Sequence, residues 1–221
     1  MTALELDFDG ATRTVTIETA IVAGWTGREK AAVEQHIAEL ERLGVPRPSS
    51  TPIFYRVSAA RLTTAAAIES TEASSGEVEP FLLRSGGELW VGVGSDHTDR
   101  RVETVDVAVS KQMCEKPIAA ELWRYDEVAA HWDRLVLRSW LLEDGAPVLY
   151  QEGPLALLLP ARELLENASP PLTEGSLMFC GTLAARGGIR PAPRFRYELE
   201  DPLLGRTIRG EYAVRPLPLI A

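Results

Sequence analysis

The sequence predicts a β-rich α+β domain, and three observations indicate that class. Short runs of alternating apolar and polar residues recur along the chain between Gly, Pro and Asp, which indicates about ten short strands. About three or four helical segments stand among them, without the regular strand–helix alternation of a doubly wound parallel sheet. The 221 residues are 45% hydrophobic, enough for one large domain or for one domain with a small appendage.

The N-terminal stretch predicts a small strand–strand–helix subdomain. Residues 4–8 and 13–23 alternate apolar and polar side chains around the turn Asp9-Gly10, so we expect an antiparallel hairpin with one wet face. Thr26 and Glu29 match a capping box, and an apolar stripe at helical spacing follows, which predicts a helix that ends at Gly44. We therefore place a boundary at residue 45, with residues 1–45 as this subdomain and residues 46–221 as the main domain.

The predicted helix carries His36 and Glu39 three residues apart. Such a pair can serve as a base and its orienting carboxylate on a mobile lid. The alternative is a histidine at the solvent edge of an ordinary amphipathic helix, and we favour this alternative because a single short motif is weak evidence.

The next stretch begins the main domain. Pro46, Pro48 and Pro52 exclude a helix, and residues 53–57 have the character of a buried strand. Residues 62–75 are rich in Thr, Ala, Ser and Glu, and we expect a loop or a short helix there.

An acidic hairpin is the central feature of the sequence. Glu77 and Glu79 stand two apart in a run of strand character, so their carboxylates share one face. A turn at residues 85–87 and a returning strand at residues 88–93 bring Asp96 back beside Glu77. Three converging carboxylates repel one another unless a cation lies among them, which predicts a hard divalent metal. For Glu77 and Glu79 alone, the alternative is a solvated strand face.

The remaining elements alternate between strands and short helices. We expect the following order: a strand at 105–109 that continues or turns through 110–114, a helix at 125–137, a hairpin of 136–142 and 147–151 around Asp144-Gly145, a helix from Pro160, and strands at 176–180, 195–199 and 207–214.

Composition excludes several classes of protein. The formal net charge of −9 argues against a nucleic-acid groove or an anionic membrane surface as partner. No apolar run is long enough to span a bilayer, and the N-terminus lacks the basic-then-apolar pattern of a signal peptide. Cys114 and Cys180 fit a reducing cytoplasm rather than a disulfide framework. There is no dinucleotide-binding glycine motif and no P-loop.

Four blocks of this sequence resemble the fumarylacetoacetate hydrolase family in order and approximate spacing. They are the paired glutamates Glu77 and Glu79, the segment 95–100 (SDHTDR), Lys111, and the segment 172–182 (LTEGSLMFCGT). The resemblance covers about residue 46 to the C-terminus and is to a divergent branch, of the DUF2848 kind. It implies a mixed β-sandwich roll like the family's C-terminal domain, an Mg²⁺ or Mn²⁺ site, commonly a homodimer, and 2-oxo acids or acylpyruvate-like diketones as substrates.

The chain departs from the family's pattern at several positions. Ser95 replaces an asparagine, a Ser-Ala-Arg-Asp segment is contracted to Thr98-Asp99-Arg100, and Leu183 replaces a proline. The family's His-x-x-Glu lid follows its proline-rich strand, whereas His36 and Glu39 precede it here. The metal site therefore carries over better than the acid–base residues.

The resemblance, with the chemistry of the side chains, assigns candidate roles. Metal ligands are Glu77, Glu79 and Asp96, an all-oxygen set that suits Mg²⁺ or Mn²⁺ rather than structural zinc. Catalytic candidates are His97, which would hold or activate a water, Lys111, which would add positive charge near the reacting oxygen, and Thr182. Substrate-binding candidates are Gly181, Thr182 and Lys111, since a backbone N–H and a hydroxyl can hold a carboxylate. For Lys111 a surface position is an equal alternative. Asp99 and Arg100 are expected to form an ion pair that braces the loop, and Glu103 to lie behind the ligands.

The expected function is that of a cytoplasmic enzyme, and three alternatives remain open. The first is hydrolysis or decarboxylation at a C–C bond of a 2-oxo acid or diketone through a metal-bound enolate. The second is hydration of a 2-oxo-alkenoate, or isomerisation or dehydration of a sugar acid, on the same fold. The third is a non-catalytic protein that binds small acids, for which the displaced lid motif is the motivation.

Overall fold

The computed structural model describes residues 1–42, 47–143, 145–218 and 220. For His36, Glu39 and Leu40 it describes the backbone alone, so the predicted pairing of His36 with Glu39 lies outside the described side chains. The described strands are β1 (Thr2–Phe8), β2 (Ala11–Ile17), β3 (Thr19–Gly24), β4 (Ile53–Val57), β5 (Leu62–Thr63), β6 (Ala67–Thr71), β7 (Ser74–Ser75), β8 (Val78–Ser85), β9 (Glu88–Ser95), β10 (Thr98–Asp99), β11 (Lys116–Pro117), β12 (Glu121–Arg124), β13 (Val136–Glu143), β14 (Ala146–Pro154), β15 (Ser176–Phe179), β16 (Arg194–Asp201) and β17 (Arg206–Leu217). The described helices are α1 (Lys30–Arg42), α2 (Arg100–Glu103), α3 (Val107–Met113), α4 (Tyr125–Val128) and α5 (Ala161–Asn167), with 3₁₀ turns at Ala59–Arg61, Ala129–Arg134 and Leu155–Leu157.

Two mixed sheets carry the fold. The larger has eight strands in the order β2-β1-β12-β9-β8-β15-β3-β4, and the smaller has five in the order β14-β13-β16-β17-β6. Most neighbours are antiparallel, but β1 with β12, β15 with β3, and β17 with β6 are parallel. This arrangement is the β-rich α+β class that the sequence predicts.

The central strands of the eight-stranded sheet are buried on both faces. Leu82 of β8 packs in a large cluster that also contains Leu199 and Ile208 of the smaller sheet. Its neighbour Phe81 points the other way, as period-two alternation requires, into a second cluster. That second cluster joins Ile17 of β2 to residues of β3 and β4 at the opposite edge of the sheet, so the sheet curls on itself into a roll.

The hairpins predicted around Asp9-Gly10 and Asp144-Gly145 are confirmed. Asp9 and Gly10 join β1 to β2 with φ values of 53° and 83°, the left-handed backbone that a tight hairpin turn needs. The strands β13 and β14 pair on either side of Gly145, which has φ 80°, whereas Asp144 lies outside the described residues. Cys114 and Cys180 are buried free thiols.

The predicted single strand at residues 13–23 is wrong, because the chain changes neighbours at Glu18. Before it, β2 pairs with β1, and after it β3 lies between β15 and β4. The Glu18 N–H donates to the Gly175 carbonyl at 2.8 Å, which anchors the crossing point. The boundary at residue 45 stays a prediction, although β1–β3 pair within the same large sheet as β8 and β9.

The predicted N-terminus of the first helix is also wrong. The helix α1 begins at Lys30, and Thr26 is buried ahead of it with its carbonyl accepting the Leu159 N–H at 2.7 Å. Thr26 therefore holds the chain against a later loop instead of capping the helix.

Two further stretches have a secondary structure different from the predicted one. Residues 62–75 form β5, β6 and β7, which pair with β11, β17 and β10. The stretch predicted as a strand at 105–109 is the start of α3, where the Asp106 side chain accepts the Val109 N–H at 3.0 Å.

The remaining helices agree in place but differ in extent. The predicted helix at 125–137 is α4 followed by a 3₁₀ turn that ends at Arg134, and β13 then begins at Val136. The helix α5 begins at Ala161, directly after Pro160. None of the helices in the described ranges has the length and apolar character to span a bilayer.

Candidate metal centre

The acidic hairpin folds as predicted and brings three carboxylates together. Val78 of β8 pairs with Ser95 of β9, and the Asp96 N–H donates to the Glu77 carbonyl at 3.0 Å. One carboxylate oxygen from each of Glu77, Glu79 and Asp96 lies within 4.8 Å of the others. The three predicted metal ligands therefore share one site at the end of the hairpin.

The cluster is closed except on the side of Glu77. The Glu77 side chain is 16% exposed, whereas Glu79 and Asp96 are buried. Burial, with the nearby charge of Asp96, holds the pKa of Glu79 well above its ordinary value. The Gly181 N–H donates to Glu79 Oε2 at 2.8 Å, and this neutral group offsets the burial of the carboxylate only in part.

Two lysines bind the two oxygens of Asp96. Lys111 Nζ contacts Oδ2 and lies 3.9 Å from Glu77 Oε2, while Lys116 Nζ lies 2.9 Å from Oδ1. Burial alone would raise the pKa of Asp96, but the two ammonium groups lower it well below its ordinary value. The structure thus brings Lys111 to the cluster from α3, and it adds Lys116, which the sequence analysis missed.

Arg100 orients the most exposed carboxylate. Its guanidinium lies 3.1 Å from Glu77 Oε1, 2.9 Å from Glu103 Oε2 and 2.7 Å from Ser75 Oγ. The expected ion pair of Arg100 with Asp99 is wrong, because Asp99 accepts the N–H groups of the first residues of α2 and acts as its N-cap. Glu103 does lie behind the ligands, as expected.

His97 is the middle of a buried chain of hydrogen bonds. Its Nδ1 lies 2.9 Å from the Tyr212 hydroxyl, and its Nε2 lies 2.8 Å from Ser74 Oγ. Ser74 Oγ donates to the Thr71 carbonyl, so it accepts from Nε2–H, and Nδ1 must then accept from Tyr212. Tyr212 in turn lies 2.9 Å from Ser95 Oγ. Because both nitrogens are engaged and the ring is buried, this geometry argues against the predicted role of His97 in activating a water.

The pH dependence of stability tests that account of His97. Burial, with the charges of Lys116 and Arg100, lowers the pKa of His97 to about 3, whereas the unfolded chain binds this proton below about pH 6.5. Stability from the neutral ring is therefore complete above pH 6.5 and is lost as the pH falls towards 3. Relative to His97→Gln, the free energy of unfolding of the wild type should fall by about 1.4 kcal/mol more per pH unit between pH 6 and 4. Parallel pH profiles of the two proteins in urea titrations would contradict the assignment.

Gly181 and Thr182 are close to the cluster but are already engaged. The Gly181 N–H donates to Glu79, and the Thr182 hydroxyl donates to the Val78 carbonyl at 2.8 Å and accepts from Gln151 Nε2 at 2.7 Å. These contacts argue against the predicted binding of a substrate carboxylate by this N–H and this hydroxyl. They assign both residues to holding the hairpin and Glu79, together with Gln151, which the sequence analysis missed.

Gly181 tolerates no side chain, and this gives a prediction. Its φ is +100°, and an ideal Cβ would lie 1.7 Å from Thr26 Oγ1. Gly181→Ala should therefore lower the free energy of unfolding by about 2–5 kcal/mol, through backbone strain and steric overlap. Gly188→Ala is the matched control, because Gly188 has φ +83° with open space around the Cβ, and should cost only about 1 kcal/mol. Equal losses in chemical denaturation would contradict the close packing of Thr26 on Gly181.

The described donor set fits a hard divalent ion. Carboxylate oxygens are the ligands that Mg²⁺ and Mn²⁺ prefer. One oxygen from each of the three carboxylates lies within 4.8 Å of the others, so all three would be able to hold a single ion. The raised pKa of Glu79 marks a buried carboxylate that its neighbours leave short of positive charge. The residues present therefore suit such an ion.

Comparison with protein families gives one match over most of the chain. A family model described as "Protein of unknown function (DUF2848)" matches residues 23–212. A comparison with curated proteins gave no match.

Solved structures show the same fold at low sequence identity. A structure from Oleispira antarctica, provisionally named a fumarylacetoacetate isomerase/hydrolase, is 18% identical, with 96% of this chain and 100% of that chain covered and a TM-score of 0.68. One from Burkholderia cenocepacia, provisionally named a fumarylpyruvate hydrolase, is 17% identical, with 99% and 94% covered and a TM-score of 0.68. The apo form of a 2-keto-3-deoxy-D-arabinonate dehydratase is 13% identical, with 94% and 77% covered and a TM-score of 0.64. The predicted fumarylacetoacetate hydrolase fold is thereby confirmed.

Proposed function

This chain belongs to the DUF2848 family and has the fumarylacetoacetate hydrolase fold, and from these two facts and the acidic cluster we propose that it is a divalent-metal-dependent enzyme. Its substrate is a 2-oxo acid or an acylpyruvate-like diketone, and its reaction is hydrolysis or decarboxylation at a C–C bond. The observation that carries the proposal is the convergence of Glu77, Glu79 and Asp96 within 4.8 Å at the end of one hairpin.

Three carboxylates would hold the ion, and neighbouring groups keep them in place. When bound, Mg²⁺ or Mn²⁺ would polarise the 2-oxo carbonyl and stabilise negative charge on its oxygen. Arg100 orients Glu77, the Gly181 N–H orients Glu79, and Lys116 holds one oxygen of Asp96. Such fixed donors lower the cost of reorganisation during a reaction.

Lys111 is the positive group best placed to act on a substrate. Its ammonium contacts Asp96 and lies 3.9 Å from Glu77, the exposed side of the cluster. A substrate oxygen entering on that side would meet this charge as its own negative charge develops. Lys111 therefore keeps its proposed catalytic and substrate-binding role, whereas His97, Gly181 and Thr182 act on the position of the ligands.

A second reaction class has one supporting observation. The fold is shared with a 2-keto-3-deoxy-D-arabinonate dehydratase as well as with proteins named as hydrolases. Dehydration, hydration or isomerisation of a 2-oxo acid uses the same stabilisation of charge on the 2-oxo oxygen, so it is the second candidate.

The homodimer, the cytoplasmic location and the absence of nucleic-acid or membrane partners stay predictions.

A turnover panel tests the proposal. Purified protein would be assayed with acetylpyruvate, oxaloacetate, a 2-oxo-alkenoate and a 2-keto-3-deoxy sugar acid, each with Mg²⁺, Mn²⁺ or EDTA. We expect turnover of at least one compound that EDTA abolishes and added Mn²⁺ restores. Metal-dependent binding without any turnover would instead support the small-acid binding protein, and turnover that is insensitive to EDTA would contradict the metal.

A further inference from the structure

Trp25 has an unusual backbone directly after β3. Its φ is 59°, in the left-handed region, which is strained and rare for a bulky side chain. A conformation of this kind persists only where the surroundings hold it, and such residues cluster at ligand-binding sites. Trp25 is therefore a candidate functional residue.

The Trp25 side chain forms a hydrogen bond with a neighbouring aromatic side chain. The side chain is only partly buried, it belongs to neither buried cluster, and it forms a hydrogen bond with the Tyr55 hydroxyl. Tyr55 approaches the chain so closely that an ideal Cβ on Gly24 would lie 2.8 Å from its Cε2. The two aromatic side chains thus form one fixed, partly exposed surface, which we call the aromatic wall.

The aromatic wall lies near the carboxylate cluster through Tyr55, and the chain links Trp25 to the residues that hold Glu79. The Tyr55 ring centroid lies 5.9 Å from Lys111 Nζ, and Lys111 contacts Asp96. Trp25 immediately precedes Thr26, which packs on Gly181, whose N–H binds Glu79. A ligand held at the cluster would therefore have the wall beside it.

The wall is uncharged. Arg28, the basic residue nearest to Trp25 in the sequence, binds both oxygens of Asp133 at 2.6 and 2.7 Å and the Leu158 carbonyl at 2.8 Å. The Arg28 guanidinium is therefore engaged with these partners. The groups that the wall offers to a ligand are the indole of Trp25 and the phenol of Tyr55. Flat unsaturated groups pack well on such rings, whereas Lys111, the ammonium 5.9 Å from the Tyr55 ring, is already paired with Asp96 and offers less to a second carboxylate on the ligand.

Building on the proposed function, we propose that Trp25 and Tyr55 bind the end of the substrate remote from its 2-oxo acid group, and that they select a flat, uncharged group such as an aromatic acyl group. The wall decides which acylpyruvate-like compound is preferred, while the carboxylate cluster and Lys111 bind the part common to all of them. Trp25 and Tyr55 are thus specificity-determining residues.

Binding measurements with two kinds of probe test this inference. Calorimetry with Mn²⁺ present would measure the Kd of oxalate, which occupies only the cluster, and of acetylpyruvate, fumarylpyruvate and 4-phenyl-2,4-dioxobutanoate, which also reach the wall. In the wild type we expect the phenyl compound to bind about 3- to 10-fold tighter than the other two diketo acids.

The test variant is Trp25→Gly, because glycine accepts the backbone of residue 25 without strain. It should lose the preference for the phenyl compound and keep the Kd of oxalate within about twofold, since no side chain of the cluster changes. Trp140→Ala, on the strand β13 of the smaller sheet, is the control and should change neither value.

Each outcome decides one question. If oxalate binds but the phenyl compound is not preferred, or if Trp25→Gly leaves that preference intact, the inference about the wall is wrong and the proposed function survives. If oxalate does not bind the wild type with Mn²⁺, the proposed function fails and the inference fails with it.

Discussion

Replacing Glu79 with glutamine is expected to abolish the rise in melting temperature that Mg²⁺ or Mn²⁺ gives to the wild-type protein. An ion at 100 times its Kd stabilises the folded state by about 2.7 kcal/mol, which corresponds to about 5–10 °C for a domain of this size. Glu79 supplies a carboxylate that glutamine cannot replace as an anionic ligand. Thermal unfolding with and without each metal, monitored by circular dichroism, would measure the shift.

The Glu79→Gln protein should still fold, which makes the experiment interpretable. Burial already favours the neutral form of Glu79, and a glutamine of the same shape can accept the Gly181 N–H in its place. Glu166→Gln is the control, since Glu166 is an exposed carboxylate paired with Arg162 on α5, and its metal-dependent shift should equal that of the wild type. A shift that persists in Glu79→Gln would remove Glu79 from the ligand set.

Lys116→Met should cause one of the largest losses of stability in this chain. Lys116 is fully buried, pairs with Asp96 Oδ1 at 2.9 Å and donates to the His97 carbonyl at 2.5 Å. Methionine matches its length but leaves Asp96 Oδ1 without its buried ammonium partner and the His97 carbonyl without its donor, so the free energy of unfolding should fall by about 3–5 kcal/mol although Lys111 stays on Oδ2. Urea unfolding without added metal would measure this loss.

The third lysine of the chain provides the control. Lys30 is exposed at the start of α1, and Lys30→Met should change the free energy of unfolding by less than about 0.5 kcal/mol. A loss of under about 1 kcal/mol for Lys116→Met would show that Asp96 is satisfied without Lys116. Lys116 would then not be the group that holds Asp96 in place as a proposed metal ligand.

The acidic hairpin could be predicted because all of its signals are local. The spacing of Glu77 and Glu79, the glycine turn and the returning strand lie within one short stretch, and period-two geometry then places Asp96. The strands β13 and β14 follow from equally local patterns around Gly145.

The groups that hold the cluster could not be read in this way, because each comes from a distant part of the chain. Gln151 reaches Val78 and Thr182 from β14, and Tyr212 reaches Ser95 from β17. Only the fold brings them together. For the same reason residues 62–75, whose three short strands pair with β11, β17 and β10, were predicted as a loop or a short helix.

Lys116 did have a signal in the composition. Only three of the 23 basic residues are lysines, and two of these three, Lys111 and Lys116, converge on Asp96. Because nearly all other basic positions of this chain are arginine, a lysine is a candidate for a specific role at its position. The alternating valines around the start of α3 led to the prediction of a strand. The stretch is a helix because the N-cap formed by Asp106 outweighs the strand preference of valine.

The most direct test of the metal site is a crystal of the protein soaked with MnCl₂ and oxalate, examined by anomalous diffraction at the manganese edge. We expect one anomalous peak per chain among the carboxylates of Glu77, Glu79 and Asp96, at about 2.1–2.2 Å from an oxygen of each, with oxalate beside it on the side of Lys111. Well-ordered density for the three side chains and no anomalous peak among them would contradict the account.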